Sequence, residues 1–190
     1  MIEAVFISDL HLHPLDAELF KRFQRFLDWA KDHTKSIYIL GDFLHVYAGD
    51  DLIDEFHLKV ADALNSLTNL GIKIYLMPGN RDFLIGPRFE RLAGISLIPD
   101  PSIICLNLAR IYLTHGDRYC RHDWQHQCLR TFTRPHFFRW LILQLPQKFR
   151  LKLVQGVRNY SQHKKRRPKP KRYQIVTEPL YQNMRKMGVS

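Results

Sequence analysis

Apolar residues follow two alternating rhythms along the first hundred positions. Ala4 to Ile7 (AVFI) is a short unbroken apolar run that stops at Ser8-Asp9-Leu10-His11, as a buried strand does when it delivers a polar loop. From Asp16 to His33 the apolar positions are Leu19, Phe20, Phe23, Phe26, Leu27 and Ala30, a 3.6-residue period that makes one helical face. The pair of patterns repeats. Ser36 to Leu40 (SIYIL) ends at Gly41-Asp42, a helix is expected from about Asp54 to Leu70, and Ile72 to Met77 (IKIYLM) ends at Pro78-Gly79-Asn80. This alternation predicts a βαβαβ chain with parallel, buried strands, right-handed crossovers and helices on the faces of the sheet. In such a sheet ligands belong at the carboxyl ends of the strands.

The pattern then changes. After a short helix at Pro87 to Leu92 come three β-like stretches, Ser96 to Ile98, Ile103 to Asn107 and Arg110 to Thr114, the last ending at His115-Gly116-Asp117. Beyond Asp123 the reading is helical, with Trp124 to Thr131, Phe137 to Leu145 and Gln147 to Val157 as helices before the run KKRRPKPKR, Lys164 to Arg172. Two prolines make that run a loop or extended linker. A last helix, Glu178 to Met187, stops at Gly188. These shifts divide the chain into a core (1–123), a helical basic cap (124–173) and a terminal core helix (174–190).

With 45% hydrophobic, 12% aromatic and 25% charged residues the chain has enough apolar surface to fold, which excludes a wholly disordered protein. Its formal charge of +11 is concentrated in one stretch: Arg118 to Tyr173 holds 16 Lys or Arg against the single acid Asp123. The remainder, with 13 basic and 17 acidic residues, is mildly acidic. No signal-like segment precedes Asp9 and His11. The longest apolar stretch, Phe137 to Pro146, is interrupted by Arg139 and Gln144 and is far shorter than the roughly 20 residues a spanning helix needs. Cys105, Cys120 and Cys128 form neither a zinc-ribbon pair nor an even disulfide set, which fits a reducing, cytosolic compartment.

The polar residues at the four strand ends are Asp9 and His11, then Asp42, then Asn80 and Arg81, then His115. Carboxylate, imidazole and amide oxygen suit Mn²⁺, Fe²⁺ or Zn²⁺, and the lack of clustered thiolates argues against a soft-metal or iron-sulfur site. Asp42 is placed to bridge two ions, with Asp9 and His11 on one and Asn80 and His115 on the other. Each motif alone has a plainer reading, since Gly-Asp is a common turn and Asn-Arg a common loop. Their order, each just after an apolar strand, is what points to a metal centre.

The motifs Asp9-Leu10-His11, Gly41-Asp42, Gly79-Asn80-Arg81-Asp82 and His115 make the chain resemble the calcineurin-like metallophosphoesterases. The closer resemblance, from residue 2 to about residue 160, is to the UDP-2,3-diacylglucosamine hydrolase branch of lipid A biosynthesis. It rests on SDLHL (Ser8 to Leu12), YILGDF (Tyr38 to Phe43), GNRDFLIG (Gly79 to Gly86) and LTHGDRYC (Leu113 to Cys120), with Arg81 following the Gly-Asn as the mark of that branch. The resemblance implies an α/β fold, a layered β-sheet core flanked by helices with a small helical cap. It implies two divalent ions, Mn²⁺ foremost, and hydrolysis of a pyrophosphate to a lipid phosphate and UMP.

The likeness also implies that Asn80 and Arg81 meet the substrate, with Arg81 on its phosphates, and that Asp123 and Ser161 are substrate contacts. The substrate would be a nucleotide-linked glycolipid, met peripherally at the anionic cytoplasmic face of the inner membrane, with no specific nucleic acid partner. One motif of the superfamily, Gly-His-x-His on a later strand, does not occur in the 190 residues. The expectation is therefore a core lacking its C-terminal strands, with impaired activity.

Two rival readings follow from the same residues. One is a non-catalytic relic whose basic run holds anionic lipid or nucleic acid; the other is a phosphodiesterase or nuclease of the same superfamily. Five other histidines, His13, His33, His45, His57 and His122, are expected to be solvated or merely hydrogen-bonded. Phe137, Phe138 and Trp140, with Leu141 to Leu143 and Leu145, are expected to pack as a helix pair more than to line a lipid groove.

Overall fold

The computed structural model describes residues 1–119, 136–154, 156 and 176–189. The chain divides into two compact units, Met1–Asp100 and Pro101–Ser190. The first is the expected α/β layer. Its strands β1 (Val5–Ile7), β2 (Ser36–Leu40), β3 (Lys73–Met77) and β4 (Ser96–Leu97) lie side by side in that order, all parallel. Ile7 stands opposite Ile39, and Leu40 opposite Met77, so β1, β2 and β3 end side by side. The fourth strand lengthens the parallel sheet by one short rung.

Helices α1 (Ala17–His33), α2 (Glu55–Thr68) and α3 (Pro87–Ala93) connect these strands. Each begins where the sequence supplies a start signal. Asp16 Oδ1 accepts the amide of Leu19 at 2.9 Å, and Asp54 and His57 form a reciprocal capping box. Pro87 occupies the first turn of α3, which Gly94 ends at φ 64°. The helices bury one stripe each: Phe23, Leu27 and Ala30 from α1, and Val60, Ala61, Leu64 and Leu67 from α2. Ile37, Ile39, Ile74 and Leu76 are their buried counterparts in the sheet. Residues of the alternate strand parity form an aromatic row, in which Tyr38 stacks on Phe6 (5.2 Å between centroids) and on Tyr75 (4.7 Å).

The second unit departs from a simple continuation of the parallel sheet. The stretches read as 103–107 and 110–114 are one antiparallel hairpin, β5 (Ser102–Leu106) and β6 (Ala109–Leu113). Asn107, expected at the end of a strand, instead forms the two-residue turn with Leu108. Both take positive φ (46° and 68°), the geometry that matches the twist of the flanking strands. The final helix, Thr177–Lys186, is tied to this hairpin through Asn183 Nδ2, which donates to Tyr119 Oη at 3.0 Å. Tyr119 Oη also lies 2.7 Å from Tyr112 Oη, and Arg110 Nη2 donates to the carbonyl of Met187 at 2.9 Å.

Of the helices read beyond Asp123, the helix His136–Gln144 and helical residues 147–154 are described, whereas 124–131 and the run Lys164–Arg172 lie outside the described residues. The expected burial of the aromatic cluster is not what forms. Ile142 is buried, but Phe137 and Trp140 stack at 6.0 Å while 70% and 56% exposed, and Leu141, Leu143 and Leu145 are exposed too. Helical period put these side chains on several faces of one short helix, and a single helix can bury only one.

The core of the first unit yields a direct test. Leu64 is fully buried, so Leu64→Ala should lower unfolding free energy by about 2–5 kcal/mol, whereas Leu58→Ala, at a position 39% exposed, should cost well under half of that. Urea denaturation followed by circular dichroism distinguishes the two.

Candidate metal and phosphate site

Asp9 lies two residues past β1, Asp42 two past β2 and Asn80 three past β3, so the aligned strand ends bring their loops together. The first two loops are stitched by backbone bonds: Asp9 N to Gly41 O at 3.1 Å, His11 N to Asp42 O at 2.9 Å and Leu12 N to Phe43 O at 2.9 Å. This tight path has a conformational cost. Asp9, His11 and Asp42 all sit at left-handed φ (56°, 52° and 51°), a region costing about 1–2 kcal/mol per residue with a Cβ, less for Asp. Three non-glycine residues so held within two short loops mark a site where the surroundings enforce the backbone.

The loops after β2 and β3 are joined in turn by a reciprocal pair of carboxylates. Asp42, almost buried, accepts the amides of Asn80 (2.8 Å) and Arg81 (3.1 Å) on Oδ1. Asp82, wholly buried, returns the grip across the same gap: Oδ1 accepts Gly79 N at 2.6 Å, and Oδ2 accepts Phe43 N at 2.7 Å and Leu44 N at 3.2 Å. Burial, and secondarily the neighbouring Asp42 carboxylate, push the Asp82 acid up to about 6, against the pull of the three amides. The loops touch closely enough that a Cβ on Gly79 would collide with the backbone and carboxylate of Asp42. Glycine is required there by proximity.

The other oxygen of Asp42 faces side chains. Its Oδ2 lies 3.5 Å from Arg81 Nε and 3.8 Å from His11 Nδ1. Arg81 Nη1 is 3.4 Å from His45 Nδ1, and His45 meets His13 edge-on at 4.6 Å. Beyond this centre Asp50 caps the start of α3, accepting Gly86 N (3.0 Å), Arg88 N (2.7 Å) and the Tyr47 hydroxyl (2.6 Å). Burial and the Asp50 carboxylate raise the Tyr47 phenol above its ordinary range, keeping it a neutral donor.

Of the residues singled out in the sequence, Asp9, His11, Asp42, Asn80 and Arg81 are gathered within the first unit. His115 belongs to the second unit, two residues past β6, where Gly116 N donates to Thr114 Oγ1 at 3.2 Å. Asp123 and Ser161 lie outside the described residues. Each of Asp9, Asp42 and His115 offers a donor atom to a metal ion. Within the first unit, the carboxylates of Asp9 and Asp42 and the imidazole of His11 are donor types of borderline divalent cations, which fits the metals expected from the sequence.

The model of the calcineurin-like phosphoesterase family matches residues 3–173. The chain belongs to that family. It is 38% identical over 188 residues to a UDP-2,3-diacylglucosamine hydrolase of Pseudomonas aeruginosa (strain UCBPP-PA14), covering 99% of this chain and 78% of the relative. Enzymes of the same description from Pseudomonas entomophila (strain L48; 40% identity, 84% of this chain and 67% of the relative) and Proteus mirabilis (strain HI4320; 38%, 83% and 66%) are similar. A solved protein of unknown function from Aquifex aeolicus is 18% identical with a TM-score of 0.43, covering 70% of this chain and 72% of that one. Family membership makes this chain a calcineurin-like metallophosphoesterase, a metal-dependent hydrolase closely related to the UDP-2,3-diacylglucosamine hydrolases.

Two residues beside Asp42 and Arg81 carry no signal of their contacts in the sequence. Asp82 was visible only as the last letter of Gly-Asn-Arg-Asp, and nothing in that motif tells that its carboxylate binds the loop after another strand. His45, expected to be solvated or merely hydrogen-bonded, is half-buried with its Nδ1 3.4 Å from Arg81 Nη1. His57 does fit the hydrogen-bonded role, closing the α2 capping box.

The clasp can be broken without changing its size. Asp82→Asn replaces one of two buried acceptors with a donor aimed at amide donors, and should lower stability by about 1–3 kcal/mol in chemical denaturation. Gly79→Ala should be destabilising through collision with Asp42, and a thermal midpoint equal to that of the parent protein would contradict the proximity argument.

Proposed function

We propose that this chain hydrolyses the pyrophosphate of UDP-2,3-diacylglucosamine, releasing UMP and a lipid phosphate. The observation that carries the reading is the arrangement around Asp42: one carboxylate oxygen spent on the loop of Asn80 and Arg81, the other facing His11 and the Arg81 guanidinium. It is the layout of a site that must hold cations and an anionic substrate together. The names and extent of the Pseudomonas relatives support the choice of substrate.

Asp9, His11, Asp42, Asn80 and His115 would be the ligands of two divalent ions, with Mn²⁺ the preferred metal. Bound there, the cations supply Lewis acidity and make water a stronger acid, so no side-chain nucleophile is required. Arg81 grips the phosphoryl oxygens, where a fixed guanidinium offsets charge that grows as the bond to the leaving group breaks. Asp123, at the end of the 1–123 core, and Ser161, in the 124–173 cap, contribute further substrate contacts.

No helix among the described residues is long and apolar enough to cross a membrane. The exposed Phe137, Trp140 and Phe149, beside Lys148 and Lys152, suit peripheral attachment to an anionic inner membrane on its cytoplasmic side, where the lipid substrate resides.

Purified protein given Mn²⁺ should release UMP from UDP-2,3-diacylglucosamine. Asp42→Ala should lose both the metal, read by elemental analysis, and the turnover. Arg81→Ala should keep its metal and lose turnover by about 100-fold, the scale of removing one donor to developing charge. Metal-independent release of UMP, or none at all, overturns the reading.

A further inference from the structure

The proposed work of Arg81 depends on the plane of its side chain. A guanidinium offers paired N–H groups to phosphate in one plane, and a tilt of that plane loses the fork geometry. Two contacts set the plane: Nε lies 3.5 Å from Asp42 Oδ2, and Nη1 lies 3.4 Å from His45 Nδ1. We propose that His45 is the positioning residue for Arg81, holding the guanidinium in the orientation that meets phosphate; the inference rests on the phosphate role given to Arg81 above.

His45 is built to be a fixed post. Its backbone N–H donates to Leu12 O at 2.9 Å, anchoring it to the loop after β1, and its ring is held edge-on by His13 at 4.6 Å. The carbonyl of Arg81 is itself bound by Tyr47 N at 3.2 Å, so both ends of the His45–Arg81 contact are tied to the segment that follows β2. A guanidinium has no acceptor, so Nδ1 meets it with a lone pair and the ring proton resides on Nε2. Asp42, on the reading above, is shared with the cations, which makes the contact from His45 the steadier of the two. His45 thus acts on substrate only through Arg81.

The test uses the full chain with four substitutions, His45→Ala, His45→Phe, His45→Gln and Arg81→Ala, and the double variant His45→Ala/Arg81→Ala. The first readout is the arginine Nε–Hε resonance of Arg81 in ¹⁵N-labelled protein, assigned by its loss in Arg81→Ala. It should move to the position of solvent-exposed arginines in His45→Ala and in His45→Phe, which keeps a ring but has no acceptor. It should return toward the parent value in His45→Gln, whose amide oxygen accepts.

The second readout is Mn²⁺-dependent UMP release. His45→Ala and His45→Phe should lower kcat by about 10-fold with metal content unchanged, His45→Gln should recover most of it, and adding His45→Ala to Arg81→Ala should cost less than about 2-fold more. An unmoved Arg81 resonance in both His45→Ala and His45→Phe overturns the proposal, as does a fully additive loss in the double variant. Absence of turnover in the parent protein overturns the enzymatic reading instead, and the resonance still decides the role of His45.

Discussion

A buried carboxylate is tolerable only when its oxygens are filled with donors, and this fold uses that constraint twice across one gap. Asp42 takes the amides of Asn80 and Arg81 from the loop after β3, while Asp82 takes those of Phe43 and Leu44 from the loop after β2. Each loop thus supplies the anion and the donors that satisfy the other's anion. Neither could keep its shape alone, because the orphaned carboxylate would then be desolvated without compensation. The presence of both ties the shape of the site to the parallel register that sets the two strand ends level.

Backbone bonds between the first two loops explain how three left-handed residues persist. Asp9, His11 and Asp42 adopt backbone angles that glycine tolerates best, and each of the three is a polar residue whose side chain the site uses. Placing glycine there would relieve the backbone and remove the chemistry. The bonds between the loops after β1 and β2 hold the strained path in place, with Leu12 and Leu44 buried beneath it.

Much of the first unit was legible in the sequence because its periods are unambiguous. Phe23, Leu27 and Ala30 recur at helical spacing and are the buried stripe of α1; SIYIL is a continuous apolar run and is a central strand buried on both faces. Asp9, Asp42 and Asn80 could be collected because each follows a strand and parallel strands end together. The hairpin turn at Asn107 and Leu108 was harder, since a strand that stops one residue early leaves no mark in hydrophobicity. The roles of Asp82 and His45 were not legible at all. Both act on residues nearly forty positions away in the chain, and neither local spacing nor residue type encodes which distant amide or guanidinium they meet.

Mutual satisfaction of the two loops also bears on how this protein can diverge. Chain length is free to change where a connection serves only to join elements, as at the exposed tip formed by Asn107 and Leu108. It is frozen from Gly41 to Leu44 and from Gly79 to Asp82, because one added residue in either stretch would shift every donor past its acceptor at once. Innovation in substrate choice is thereby channelled into segments outside the clasp, leaving the paired loops as the part of the molecule that must be inherited whole.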